Sequence, residues 1–227
     1  MVATGLVAYY TFPSDAPLLD LAFSLGDLQA SSNISYVQDG PWPGSQCAAL
    51  ASVGDSYGGG QYFRLTPLNL GAMSASTGFS ICTWFVFDAT TNGASIFDFG
   101  MGAWSSELRL FLSGYSTQLQ LQYSCGSYTF VKPIINGQWR HVCVVNQGSS
   151  WSVYDDGRLA ASLYTYCIMN NVQLTSNFIG RSNNYGESSF VGRVDEFRIY
   201  QKQLLPSDVT GVYNFSYTWP GRVFCSG

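Results

Sequence analysis

Phe190-Val-Gly-Arg-Val-Asp-Glu-Phe-Arg-Ile-Tyr200, close to the end of a 227-residue chain, is the stretch whose reading decides the fold. Side chains alternate faces along a strand, so Val191, Asp195, Phe197 and Ile199 are expected on one side and Val194, Glu196, Arg198 and Tyr200 on the other. One side is then mostly apolar and the other carries paired charges. Phe197 and Ile199 need a second layer over them, which asks for a strand in the middle of a sheet. Asp195 is the odd member, because this phase points it toward the core.

Strand-like runs arrive at short intervals upstream, at 78–87, 94–100, 108–112, 118–123, 127–131 and 140–146, separated by Gly, Asn and Ser. That spacing predicts a two-layer antiparallel sandwich. Residues 6–12 alternate as an opening strand that Pro13 stops. Residues 151–154 and 158–164 read as a hairpin across Asp155-Asp156-Gly157, since Asp-Gly supplies the positive φ a tight turn needs. Gly58-Gly-Gly60 is followed by a strand rather than by a helix start, so it reads as a turn and not as a phosphate cradle. With 11% charged residues, 16% aromatic residues and 24 Gly, the composition suits many strands joined by tight turns. No linker divides the chain, and all-β domains commonly reach this length. One domain is expected over 1–216, with a tail at 217–227.

Ile179-Gly-Arg-Ser182 followed by Phe190-x-Gly192-x-x-Asp195-Glu196-x-Arg198-Ile199-Tyr200 resembles the closing signature of the laminin-G-like, or concanavalin A-like lectin/glucanase, jelly rolls. Leu6-Val-Ala-Tyr-Tyr-Thr-Phe12 is similar to the family's opening strand, Phe79-Ser-Ile-Cys-Thr-Trp84-Phe to its central strand, Trp139-Arg-His-Val142 to its W-x-H-V strand and Val153-Tyr-Asp-Asp-Gly157-Arg to its turn. The resemblance follows the family's order and covers roughly residues 6–214. It implies an all-β, two-sheet antiparallel jelly roll with a short helical turn near the C-terminus, at Leu204-Leu-Pro-Ser-Asp. Where the family caps that turn with Ser or Thr, this chain has Leu205, so a weaker turn is expected.

Several function classes are disfavoured. A net charge of −4 with only ten Lys plus Arg offers no positive stripe for nucleic acid or for anionic membranes. The uncharged runs 65–87 and 110–131 are broken by Pro, Gly and Asn or alternate with Gln, so both read as strands and no membrane insertion is expected. The N-terminus enters the opening strand without a basic region, apolar core and cleavage site, so no signal peptide is expected in this chain. Six Cys, at 47, 82, 125, 143, 167 and 225, form no CxxC pair, which argues against zinc. Cys82 and Cys143 fall inside strands and read equally as buried thiols or as bonded; Cys125, Cys167 and Cys225 are the better disulfide candidates. Asn33-Ile-Ser35 and Asn214-Phe-Ser216 fit the glycosylation sequon.

Glycoside hydrolysis needs two opposed carboxylates, and the only Glu are Glu107, Glu187 and Glu196. Asp195 and Glu196 are adjacent and point apart, so no catalytic pair is read. His141 is a framework residue by the resemblance, and two residues along a strand separate it from Cys143 by about 7 Å, too far for a direct hydrogen bond. The resemblance implies calcium as the cofactor to look for, with Asp195 and Asp20 as ligands; the competing reading, that Asp195 accepts backbone N–H bonds, is favoured. For ligand binding, aromatic and amide side chains in loops suit a sugar. They are Trp104 in Met101-Gly-Ala-Trp104, Asn183, Asn184 and Tyr185, with Tyr115 and Tyr128 as further candidates.

The expected function is therefore a non-catalytic module that recognises a carbohydrate or glycoprotein, at a cell surface, outside the cell or on a virion, in the manner of lectins and adhesion domains. The alternatives are a structural jelly roll whose partners are neighbouring subunits of an assembly and, least favoured, a polysaccharide-active enzyme.

Overall fold

The computed structural model describes residues 4–16, 18–22, 24–52, 60–113, 117–124, 126–130, 132–166 and 168–215. In chain order the strands are β1 (Leu6–Tyr10), β2 (Gln29–Ala30), β3 (Ser35–Val37), β4 (Cys47–Leu50), β5 (Phe63–Leu65), β6 (Phe79–Ala89), β7 (Ser95–Gly100), β8 (Ser106–Leu112), β9 (Leu119–Tyr123), β10 (Gly126–Thr129), β11 (Arg140–Gln147), β12 (Ser150–Asp155), β13 (Arg158–Tyr164), β14 (Ser176–Ile179) and β15 (Val191–Tyr200). The helices are α1 (Leu70–Ser76) and α2 (Pro206–Phe215). One antiparallel sheet runs β13-β12-β11-β6-β15-β4-β3, with β1 also on β15, and the other runs β10-β9-β8-β7-β14-β5-β2. The sandwich expected from the sequence is thus the fold.

The decisive stretch is β15, and it is central as its apolar side demands. β6 pairs one of its edges, while the other is shared by β4 opposite Gly192–Val194 and by β1 opposite Phe197–Tyr200. Its phase is not a simple alternation. Glu196 has a φ of 55°, and the register against β6 slips between Asp195 and Arg198, which is a β-bulge. Val194, opposite Phe85, faces the interior before the bulge; Phe197 and Ile199 do so after it. Asp195 lies opposite Trp84 on the outer face, which corrects the expectation that it shares a side with Phe197. Phe197 meets Phe97 and Phe99 of the second sheet edge-on at 6.0 and 6.3 Å, closing the core.

The outer face of the first sheet is covered too. Val209 and Val212 of α2 pack with Leu204, Tyr200, Tyr154 and Val145 over a disulfide between Cys82 and Cys143, which stand directly opposite each other on β6 and β11. The bond decides the alternative left open for these two cysteines and removes Cys143 as a nucleophile. Cys47 is a buried free thiol, pushed up to about 12 by its burial; Cys125, Cys167 and Cys225 lie outside the described residues. Under the same cover Tyr213 stacks on Trp84 at 5.3 Å, with His141 5.3 Å from the indole on the other strand. The Tyr9 hydroxyl donates to Glu196 at 2.7 Å and accepts from Arg198 at 3.0 Å, and Glu196 pairs with Arg198.

Two local expectations change. The run 65–87 contains α1 and is not all strand, because the Asn69 side chain accepts the Ala72 N–H and caps the helix. The turn near the C-terminus is a ten-residue helix whose missing Ser/Thr cap is replaced from within: Asp208 accepts the Leu205 N–H at 3.1 Å and the Lys202 ammonium at 2.9 Å. The bond to Lys202 holds the Asp208 carboxyl below its usual range. Among the described residues no helix is long and apolar enough to cross a membrane.

Candidate functional site

The outer face of the second sheet carries a row of cross-strand neighbours, Gln29, Arg64, Phe178, Asp98, Arg109, Gln122 and Ser127, one from each strand. Period-two alternation puts them there, since Phe97, Phe99, Leu108 and Leu110 on either side of Asp98 and Arg109 fill the core. Two buried charges on a sheet surface need partners. They find them in the loop 181–189, which lies across the middle of the row.

Asp98 is 0% exposed and accepts the Asn183 N–H at 2.9 Å and the Asn183 Nδ2 at 2.9 Å, with Ser182 Oγ at 3.4 Å. Arg109 donates Nε to Ser95 Oγ at 2.8 Å, Nη2 to the Gly93 carbonyl at 2.7 Å and Nη1 to Glu187 Oε1 at 3.0 Å, while Nη2 lies 2.5 Å from Glu187 Oε2. Its guanidinium also sits 3.8 Å over the Phe111 ring. Ser182 Oγ donates to Glu187 and accepts the Asn184 N–H at 2.9 Å. The loop is therefore clamped at both ends by buried charge-assisted hydrogen bonds, which are about twice as strong as neutral ones.

The clamp brings together the two loops singled out from the sequence. The Trp104 backbone N–H donates to Asn184 Oδ1 at 2.8 Å, which fixes the Asn184 amide and leaves its Nδ2 as a donor. Trp104 is 74% and Tyr185 78% exposed. Trp104 has a φ of 60°, a left-handed conformation that a bulky residue adopts only under constraint. A tight turn imposes it, with Ser105 N–H bonded to the Gly102 carbonyl and Met101 N–H to the Ser105 carbonyl.

The remaining candidates separate. Asn183 is a positioning residue, because its amide is spent on Asp98 and on the Ser176 carbonyl at 3.0 Å. Tyr128 stands opposite Leu121, on the core side of edge strand β10, with its ring 5.6 Å from Phe130, so it does not join the loops. Tyr115 lies outside the described residues. Asp20 accepts five backbone N–H groups, from Tyr9 and Ala22 on Oδ1 and from Ser24, Leu25 and Gly26 on Oδ2, at 2.9–3.1 Å. A carboxylate offers about four lone-pair sites, so Asp20 has none left for a cation. Asp195, on the outer face of β15, accepts the Glu196 N–H at 2.8 Å. Among the described residues no three His, Cys, Asp or Glu side chains converge on a metal position, and the pair Asp20 and Asp195 does not fit calcium.

Asp98 and Glu187 do converge, a pairing that sequence reading missed. They meet on Arg109 and Ser182 rather than across an open cleft, and Asp98 lies wholly beneath the loop. The available signal was Phe97-Asp98-Phe99 beside Leu108-Arg109-Leu110, opposite charges at the same phase of neighbouring strands. His141 is far from this chemistry: burial, with help from Arg198, lowers it to about 3, so it is neutral. A separate pocket of about 470 Å³ at the β12–β13 turn is lined by Lys132, Asp155, Asp156, Arg158, Leu159, Ala160 and Tyr213. Lys132 there already pairs with both aspartates.

The sequence family described as the concanavalin A-like lectin/glucanases superfamily, of the laminin-G type, matches residues 57–210. No curated protein matches significantly. Among solved structures, domain 4 of AbnA, an extracellular arabinanase of Geobacillus stearothermophilus in complex with arabinotriose, is similar with a TM-score of 0.70 and 24% identity, over 92% of this chain and 98% of that one. The binding domain of botulinum neurotoxin DC, in complex with SialylT, is similar with a TM-score of 0.68 and 13% identity over 96% of this chain. Trypanosoma rangeli sialidase in complex with sialic acid gives 0.67 and 15% over 95%. This chain spans 53% of the toxin domain and 34% of the sialidase, and the likeness is one of fold.

Proposed function

This chain belongs to the concanavalin A-like lectin/glucanase superfamily, and from that premise we propose that it is a non-catalytic recognition module that binds carbohydrate at the tip formed by Trp104, Asn184 and Tyr185. The observation that carries the reading is the 2.8 Å hydrogen bond from Trp104 N–H to Asn184 Oδ1, which unites two exposed aromatic loops into one platform. Sugar rings offer C–H faces that stack on aromatic side chains and hydroxyls that bond to amides. The Asp98–Arg109–Glu187 clamp holds the platform in place before a ligand arrives, which lowers the entropic cost of binding. The carbohydrate complexes of AbnA domain 4 and of the toxin binding domain support a glycan ligand.

The same clamp supports a non-catalytic role. A retaining or inverting glycosidase needs both carboxyl groups free to face the scissile bond, whereas Asp98 and Glu187 are ion-paired with a shared arginine. The Cys82–Cys143 disulfide favours an oxidising setting, outside the cell or at its surface. A glycan array probed with and without calcium, using the wild type and Trp104→Ala, tests the reading. Binding that is lost in the variant and indifferent to calcium is expected; binding that survives Trp104→Ala refutes the platform.

The structural-assembly reading has its own support. Strand β13 is an edge of the first sheet, and Leu159, Tyr164 and, just after it, Tyr166 and Ile168 are exposed there. Beyond Arg158 at its start the strand carries no charge, and such an edge invites pairing with other chains. Sedimentation equilibrium that gives a monomer at high concentration counts against it.

A further inference from the structure

We propose that the outer face of the second sheet carries an anion subsite built on Arg181 and Arg64, flanking Phe178, which takes the carboxylates or sulfates of two units of a short acidic oligosaccharide. The inference rests on the carbohydrate reading above and narrows its ligand class.

Most basic side chains of this protein are engaged with carboxylates: Arg109, Lys132, Arg140, Arg193, Arg198 and Lys202 each stand in an ion pair. Among the described residues Arg64, Arg158 and Arg181 do not. Two of these three share one side of one sheet. Arg64 stands directly opposite Phe178 across β5 and β14, and its Nη2 donates to the Thr175 carbonyl at 3.2 Å. The Arg181 guanidinium lies 4.9 Å from the centre of the Phe178 ring and 4.8 Å from that of Tyr62. Those two rings meet edge-on at 5.3 Å, so they form a single aromatic wall.

Arg181 is half-buried, yet none of its donors bonds to the described protein, and its Nε is shielded from solvent without a partner. A cation held over two ring faces is oriented as well as stabilised. Leaving buried guanidinium donors unfilled is costly, and such an orphan points to a group the protein alone does not supply. A planar guanidinium matches the paired oxygens of a carboxylate or a sulfate, which a compact ammonium does not. Arg64 leans toward Thr175 and Arg181 follows Ile179, so the two heads are about 10 Å or more apart along the strand direction. That separation suits two anionic groups on a short oligosaccharide rather than one group chelated by both.

The place of Arg181 in the chain links this subsite to the platform. Ser182 and Asn183, the next two residues, are the ones anchored on Asp98, and Asn184 and Tyr185 follow at once. One clamped loop therefore presents a cation and then an amide and an aromatic ring. The whole molecule carries a net charge of −4, so this positive patch is local and gives no general affinity for polyanions.

The test is an array of neutral, carboxylated (sialylated and uronic-acid) and sulfated oligosaccharides, followed by titration calorimetry of the best acidic binder at several salt concentrations. Wild type, Arg181→Gln, Arg64→Gln and Trp104→Ala are compared, with melting temperatures confirming that each is folded. The expected result is a preference for acidic glycans that weakens with salt, a loss of at least tenfold in Arg181→Gln, a smaller loss in Arg64→Gln, and unchanged weak binding of neutral glycans by both arginine variants. Preference for the carboxylated or for the sulfated arm identifies the group, and either supports the subsite. Binding of neutral glycans alone, or acidic binding that Arg181→Gln and Arg64→Gln leave intact, overturns the subsite and leaves the platform standing. Absence of binding to every class overturns both. Should Arg181→Gln fail to fold, the exposed Arg64→Gln still decides: acidic-glycan binding there must weaken and depend less on salt, and unchanged affinity and salt dependence overturn the subsite.

Discussion

Replacing Trp104 by glycine should make the protein more stable than replacing it by alanine, while both abolish glycan binding. Trp104 is held at a φ of 60°, and a left-handed backbone costs an L-residue about 1–2 kcal/mol. Alanine keeps that cost and glycine removes it, but glycine gives back about 0.4–1 kcal/mol by adding freedom to the unfolded chain. The balance favours glycine over alanine by about 0.5–1 kcal/mol. The indole is mostly exposed, and whatever contact it makes is lost equally in both variants, so the comparison isolates the backbone. The bond to Asn184 is made by the backbone N–H and survives either change. For a chain of this size 1 kcal/mol moves the melting temperature by about 2–4 °C, so Trp104→Gly should melt about 1–4 °C above Trp104→Ala in calorimetry. Equal melting, or alanine above glycine, refutes the claim that this conformation is maintained at a cost in order to display the ring.

Arg109→Met leaves the buried Asp98 without its countercharge and releases Glu187; a loss of about 3–5 kcal/mol in urea unfolding is expected, with faster proteolysis within 181–189, and a loss below 1 kcal/mol contradicts the clamp. His141 titrates at about 3 in the folded chain because of its burial, against about 6.5 unfolded, so the unfolded state binds the extra proton between these values. The stability it contributes is complete above about pH 6.5 and falls as the pH drops toward 3; His141→Gln should show a flatter melting temperature between pH 6.5 and 4, and parallel curves would remove His141 as the cause. Asp208→Ala removes the acceptor of the Leu205 N–H at the start of α2 and should cost about 1 kcal/mol by denaturant titration, since that is the typical value of a lost helix cap. An unchanged midpoint would mean the cap adds nothing to α2.

Much of the architecture could be read from the residues. The strand at 190–200, the turn at Asp156-Gly157 and the regular strand spacing are local patterns, and local patterns survive without knowledge of partners. The two aromatic loops were also visible as composition, because tryptophan, tyrosine and asparagine between glycines are conspicuous in a turn. What failed were phases and partners. The bulge at Glu196 moved Asp195 to the outer face, and no period-two count contains an inserted residue. Asn69 made a helix where an uncharged run read as strand, because a single cap outweighs a weak β preference.

The sequence by itself determined that this chain builds two antiparallel layers, since hydrophobic periodicity and turn residues act over a few neighbours. Only the tertiary structure decided which side chains are free to meet a ligand. Asn183 and Asn184 are adjacent and chemically identical, yet one is spent on Asp98, 85 residues away, and the other joins Trp104, 80 residues away. Hydrogen-bond saturation depends on what the fold brings alongside, and that is a property of distance in space rather than distance along the chain.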